Sequence, residues 1–170
     1  MKNFYITGVS GTGKTTIANI LKEKEIQAYS IDEVPELCFW INKNDRKKVD
    51  YEAKLDQNFI NSHEWICDVE MLKDILNQKG KIVVLGHAEN EKDFLNLFDK
   101  IILLRSKPET FLKRILERKD NDFGKEKTVQ EYLLNTYQEF ESDMLDRGAV
   151  SVDADKPLDI VVDNIISEIQ

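Results

Sequence analysis

Three of the chain's seven glycines, Gly8, Gly11 and Gly13, fall together near its start, in the run Gly8-Val9-Ser10-Gly11-Thr12-Gly13-Lys14-Thr15-Thr16. Glycine permits positive φ and lets an anion approach the main chain with no Cβ in the way. Successive amide N–H groups along such a turn converge on one point. A helix starting near Lys14 would aim its unpaired N–H groups, and the positive end of its macrodipole, at the same point. Lys14 adds a mobile full charge suited to β and γ phosphates, and the Thr15 hydroxyl is a hard oxygen suited to Mg²⁺. The chemistry served by this spacing is the grip on a nucleoside triphosphate, with Gly8, Ser10, Gly11, Thr12, Gly13, Lys14, Thr15 and Thr16 as the binding residues.

Such a loop works only between a strand and a helix. Phe4 to Thr7 is a short apolar strand, and Ile17, Ala18, Ile20 and Leu21 follow at helical spacing. Ile26 to Ile31 reads as a second strand, ending at Asp32-Glu33. Residues 34 to 65 show no clean period and read as helical and surface-facing. Val69, Leu72, Ile75 and Leu76 mark a helix stopped by Gly80. Residues 81–86 and 100–105 are continuous apolar runs of the kind seen in central parallel strands. Ser106 with Glu109 around Pro108, and Thr128 with Glu131, read as capping boxes opening two further helices. Ala149 to Val152 is a last strand, and Pro157 opens a last helix. Strand and helix alternate five times, which predicts an α/β fold of three layers: a five-stranded parallel sheet with helices on both faces, in one domain over residues 1–170.

Composition narrows the partners. The chain is 41% hydrophobic and 33% charged, the balance of a soluble globular domain. A net charge of -8 works against wrapping an extended nucleic acid or lying on an anionic membrane. The opening MKNFYITG is too short for a secretory apolar region, and no apolar run approaches the roughly 18 residues of a membrane span. A cytoplasmic protein, monomeric or homodimeric, is expected. Cys38 and Cys67 stand apart in sequence and read as reduced thiols.

The Gly-rich loop alone does not choose among nucleotide-binding classes. Asn42-Lys43-Asn44-Asp45 matches a guanine-reading N-K-x-D, but it lies early in the chain and no D-x-x-G precedes it, so it reads as a solvated charged loop. Tyr29-Ser30-Ile31-Asp32-Glu33 imitates the acidic strand of an AAA-type ATPase, yet it comes too soon after Lys14, and the chain lacks room for a second helical subdomain. The short chain, the early loop, the acidic end of the second strand and the late basic helix resemble the superfamily of nucleoside monophosphate, shikimate and gluconate kinases. His63-Glu64-Trp65 and Gly86-His87-Ala88-Glu89-Asn90 look most like small, uncharacterised kinase-like P-loop ATP-binding proteins.

That resemblance implies ATP and Mg²⁺ as cofactors and assigns roles. Arg114 and Arg118 look like the R-x-x-x-R leading into a mobile lid, here 119–127, with Arg114 stacking on adenine and Arg118 reaching the transferring phosphate. Lys125 is a candidate substitute for a missing lid arginine, and the turn Ala154 to Pro157 corresponds to the adenine edge. Lys14, Asp32 and Arg118 are the expected catalytic residues, with Thr15 and Asp32 at the metal. Asp32 either takes the acceptor's hydroxyl proton or holds Mg²⁺ through water. Residues 34–68 would form the acceptor-binding segment, with His63, Trp65, His87 and Asn90 as candidate contacts. Few other arginines are present, and only Arg105 ends a strand, which favours an uncharged hydroxylated acceptor over a monophosphate. The expected activity is transfer of the γ-phosphate of Mg-ATP to a small metabolite, nucleoside or nucleotide. A non-catalytic or slowly hydrolysing ATP-binding regulator is the alternative, and a kinase of nucleic-acid ends a third, disfavoured by charge.

Overall fold

The computed structural model describes residues 2–49, 56–119 and 122–170. The chain runs β1 (Asn3–Thr7), α1 (Lys14–Glu23), β2 (Gln27–Ser30), β3 (Cys38–Asn42), β4 (Lys48–Val49), α2 (Gln57–Ser62) and β5 (His63–Cys67). It continues through α3 (Val69–Leu76), β6 (Ile82–Leu85), two short 3₁₀ turns at 91–93 and 95–97, and β7 (Lys100–Arg105). It ends with α4 (Pro108–Glu117), α5 (Lys127–Asp146), β8 (Val150–Asp153) and α6 (Leu158–Ile169). The main sheet has five parallel strands in the order β2-β6-β1-β7-β8. β1 lies at its centre, with Tyr5 opposite Val84 on one side and Ile101 on the other.

The period of two along β1 divides the core. Phe4 and Ile6 pack with Ile17 and Leu21 of α1 and with Val161 and Ile165 of α6. Tyr5 faces the other way, into the cluster of Leu72 and Ile75 from α3, Met144 from α5 and Phe94 from between the two 3₁₀ turns. β6 is buried on both faces along its whole length. That is why its sequence is an unbroken apolar run, and each such side chain contributes about 1.5–3 kcal/mol. Because the strands are parallel, Gly8, Asp32, Gly86 and Ser106 all leave the sheet at one end, where ligands of open α/β sheets bind. No helix among the described residues is long and apolar enough to cross a membrane.

Three local expectations are corrected. Residues 34–65 are not mainly helical: they carry a three-stranded antiparallel sheet, β4-β3-β5, with only the short α2 between its strands. Phe39, Trp40, Ile41, Trp65 and Ile66 are aromatic or β-branched, as strands prefer. Asn42 to Lys47 is the β3–β4 turn, held by Asn42 Oδ1 and Asp45 Oδ1 accepting from backbone N–H groups. Ser106 does not cap α4, since its hydroxyl donates to Asp155 at 2.5 Å while Lys107 holds the cap position. Thr128 lies inside α5, whose cap position is Glu126. Cys38 and Cys67, far apart in sequence, face each other across β3 and β5 as free thiols.

Candidate active site

Gly11 and Gly13 hold positive φ values of +85° and +97°. A Cβ on Gly11 would lie 2.4 Å from the Phe111 carbonyl oxygen of α4, so the glycine lets the loop press against that helix. Thr12 closes the turn through its N–H and hydroxyl, both donating to the Val9 carbonyl. Gly13 caps α1 with no side-chain acceptor, and the first turn carries no acidic residue, so its N–H groups remain available to an anion. Lys14 folds back, its Nζ donating to the carbonyls of Gly8 at 2.5 Å and Val9 at 3.0 Å. Burial lowers the Lys14 ammonium to about 8 against the pull of the Asp32 and Glu91 carboxylates, and Arg118 lowers it further. A cation hydrogen-bonded to carbonyls beside the open N-terminus of α1 is the setting a polyphosphate completes.

The cradle opens into a cavity of about 1110 Å³. Its lining includes Ser10 to Thr16, Asp32, Trp65, His87, Arg114 and Arg118, so it brings together most of the side chains singled out in the sequence. Gly8 lies behind it, where a Cβ would meet the Leu104 carbonyl. Arg114 donates to the Ala154 carbonyl at 3.0 Å, placing it at the turn that leads to α6, beside Lys156 and Leu158 of the same cavity. Arg118 caps the end of α4 and donates to the Phe123 carbonyl. Burial raises the Asp32 carboxyl, opposed by Lys14, His87, a hydrogen bond from Trp65 and Arg118.

Two candidates sit elsewhere. His63 is not among the cavity's lining residues: its ring stacks on Phe59 at 4.0 Å, with Nδ1 3.0 Å from the Phe59 carbonyl. Asn90 is a clasp, its Oδ1 accepting from the Cys67 N–H at 2.8 Å and its Nδ2 donating to the Cys67 carbonyl at 3.0 Å. Beside it the Glu89 N–H donates to the Trp65 carbonyl at 2.8 Å. The loop after β6 thus fastens β5 and holds Trp65 at the cavity. Lys125 pairs with Asp122 at 2.7 Å and does not line the cavity. Sequence reading passed over Trp40, Tyr132 and Glu91, all of which line it. Glu91 is buried yet polar, a property without a local sequence signal.

Residues 5–135 match the family described as AAA domain. The chain belongs to that family. In the structure Asp32 follows β2, an edge strand separated from β1 by β6. No curated protein sequence matches the chain. Among solved structures it is similar to a deoxyadenosine kinase from M. mycoides with products dCMP and a flexible dCDP bound, at 19% identity and TM-score 0.62, covering 98% of this chain and 97% of that one. It is also similar to a shikimate kinase from Bacteroides thetaiotaomicron, at 17% identity and TM-score 0.57 over 98% and 97% of the two chains. A gluconokinase from Sinorhizobium meliloti aligns at 18% identity and TM-score 0.57 over 99% and 91%. The fold is that of the P-loop small-molecule kinases.

The residues present fit ATP and Mg²⁺. Mg²⁺ bound with a polyphosphate needs only one or two protein oxygens, and Thr15 and Asp32 both line the cavity. Among the described residues no group of three or more His, Cys, Asp or Glu forms a cation site without the nucleotide.

Proposed function

We propose that the protein is an ATP-dependent phosphotransferase moving the γ-phosphoryl group of Mg-ATP to a hydroxyl of a small metabolite of nucleoside-like size, with an uncharged acceptor preferred. One observation carries this reading: a single cavity joins the phosphate cradle to Asp32, Trp65 and His87. The fold shared with kinases of small hydroxylated compounds supports it. Phosphoryl transfer passes through a loose transition state and asks mainly for alignment and charge stabilisation.

The cradle amides and Lys14 hold the β and γ phosphates, and Arg118 offsets charge on the transferring group. Arg114, fixed at the Ala154 turn, offers its planar guanidinium to adenine. Thr15 and Asp32 would hold Mg²⁺, which would supply neutralising charge to the phosphates. Residues 34–68 form the acceptor wall, through Trp40, Ile60 and Trp65, and 119–127 the lid; residues 50–55 and 120–121 lie outside the described structure. The acceptor end is aromatic, and the three remaining arginines are each paired with a carboxylate: Arg46 with Glu64, Arg105 with Glu141 and Arg147 with Asp143.

The test is ADP formation from Mg-ATP across a panel of hydroxyl compounds and their monophosphates, beginning with deoxyadenosine. ADP that rises only with a particular acceptor is the expected result, and Lys14→Ala should abolish it together with the Mg-ATP thermal shift. Mg-ATP binding with no acceptor-dependent ADP across the panel would instead mark an ATP-binding regulator.

A further inference from the structure

Glu91 and His87 reach the cavity from one short stretch after β6, and neither belongs to the phosphate cradle. Glu91 is only 4% exposed, yet it lines the cavity. Its Oε1 accepts from the Tyr5 hydroxyl at 2.7 Å and the Thr7 hydroxyl at 2.8 Å, and lies 3.3 Å from Nδ1 of His87. Burial pushes the Glu91 carboxyl up, a charged His87 and the two hydroxyl donors bring it below its ordinary value, and the two hydroxyl bonds still favour the carboxylate when His87 is neutral. An ionised carboxylate has no hydrogen to give, so the hydrogen of the third contact sits on Nδ1. Neutral imidazole carries only one N–H, which leaves Nε2 as a lone pair.

We infer that Glu91 is a positioning residue that fixes His87 as the Nδ1–H tautomer, so that His87 presents Nε2 in the cavity as the hydrogen-bond acceptor for the hydroxyl to be phosphorylated. The identity of that hydroxyl rests on the phosphotransferase reading, whereas the tautomer does not. Tyr5 and Thr7 both belong to β1, the strand that runs into the cradle, so the anchor of His87 and the anchor of the phosphates share one rigid element. The imidazole is also held edge-on by Phe140 of α5, with ring centroids 4.8 Å apart at 82°. A ring oriented by a carboxylate on one nitrogen and an aromatic edge is the arrangement by which proteins aim the other nitrogen. A loose transition state needs the hydroxyl oxygen aimed more than it needs the proton removed early. Asp32, which receives the Trp65 hydrogen bond and faces Lys14, is then left to the metal side.

The chain has two histidines, so imidazole nitrogen NMR resolves both. His63, whose Nδ1 faces the Phe59 carbonyl, serves as the internal reference. The expected spectrum of the ligand-free protein above the imidazole's titration range shows His87 with a protonated Nδ1 and a bare Nε2. In Glu91→Gln the charged acceptor is gone, and His87 should move toward the Nε2–H form favoured by free imidazole while His63 stays in place. A wild-type His87 already in the Nε2–H form would overturn the inference, as would a Glu91→Gln spectrum with His87 unmoved. With the acceptor that supports ADP formation, His87→Asn should raise its KM about tenfold and leave the KM for ATP unchanged. His87→Gln, which keeps an oxygen near the Nε2 position, should recover most of that loss. Equal effects of the two variants would refute the hydroxyl contact. Absence of any productive acceptor would defeat the phosphotransferase reading, while the spectra alone decide whether Glu91 sets the tautomer.

Discussion

Lys14 is held in the nucleotide-free protein by two carbonyl oxygens and by burial, and its proton is lost near pH 8 rather than at the ordinary value of 10.5. A polyphosphate in the cradle favours the charged form, so ATP binding at pH 8 to 9 should take up a proton, approaching one at the upper end, and affinity should fall as pH rises through that window. Calorimetry in two buffers of different ionisation enthalpy measures the uptake, and Lys14→Ala should abolish it. The sign for stability follows from the same value. The unfolded chain keeps this proton to higher pH than the folded one, so Lys14 makes the free protein gain stability between pH 8 and 10.5. Gly11 is the other residue whose physics is sharp. Gly11→Ala combines a φ of +85° with a Cβ 2.4 Å from the Phe111 carbonyl. It should cost about 2 kcal/mol or more in urea unfolding and displace α4, the helix that bears Arg114, so that ATP binding weakens as well.

Between residue and molecule stand the elements, and the clasp between the loop after β6 and strand β5 decides where Trp65 lies. Asn90→Ala leaves the Cys67 N–H and carbonyl without their side-chain partner. The expected cost is about 2 kcal/mol, with faster hydrogen exchange at the Cys67 amide and an intact thermal shift by Mg-ATP. A raised acceptor KM at unchanged stability would instead return Asn90 to substrate contact. The main sheet was legible because buried parallel strands write themselves as apolar runs, as at Ile82–Leu85, and because Gly8 to Thr15 is a spacing few other structures require. The small sheet was not. β3 and β5 are half-covered along most of their length and show no alternation, and the apolar run Leu37 to Ile41 is too short to tell a strand from a buried turn of helix. The cap of α4 was hidden for another reason. Asp155, distant in sequence, accepts from the Lys107 N–H at 3.0 Å, and a local motif search sees only Ser106 and Glu109.

At the scale of the whole molecule, the chain carries a net charge of -8, which the cavity does not share. Its lining carries both signs, with Lys14, Lys92, Arg114, Arg118 and Lys156 beside Asp32, Glu89, Glu91, Glu139 and Asp143. Burial raises the Glu89 carboxyl against the Trp65 N–H and Lys43, so a second anion beside it is disfavoured. A monophosphate acceptor would need a cation beyond those that serve the nucleotide, and Lys92 is the lining cation left for it, since Arg46, Arg105 and Arg147 are each paired with an acidic side chain. An uncharged ring meets Trp40 and Trp65, whose own rings lie 5.4 Å apart. These are the only two tryptophans in the chain and both line the cavity, so intrinsic fluorescence reports acceptor binding directly. Titrating a nucleoside and its 5′-monophosphate in the presence of a non-hydrolysable ATP analogue should give a dissociation constant about tenfold lower for the nucleoside. The gap should narrow near 1 M salt, where the screening length falls to roughly 3 Å and repulsion by the more solvated carboxylates is damped. Tighter binding of the monophosphate would show that its charge is met, with Lys92 as the lining cation able to do so, and would reverse the order of preferred acceptors.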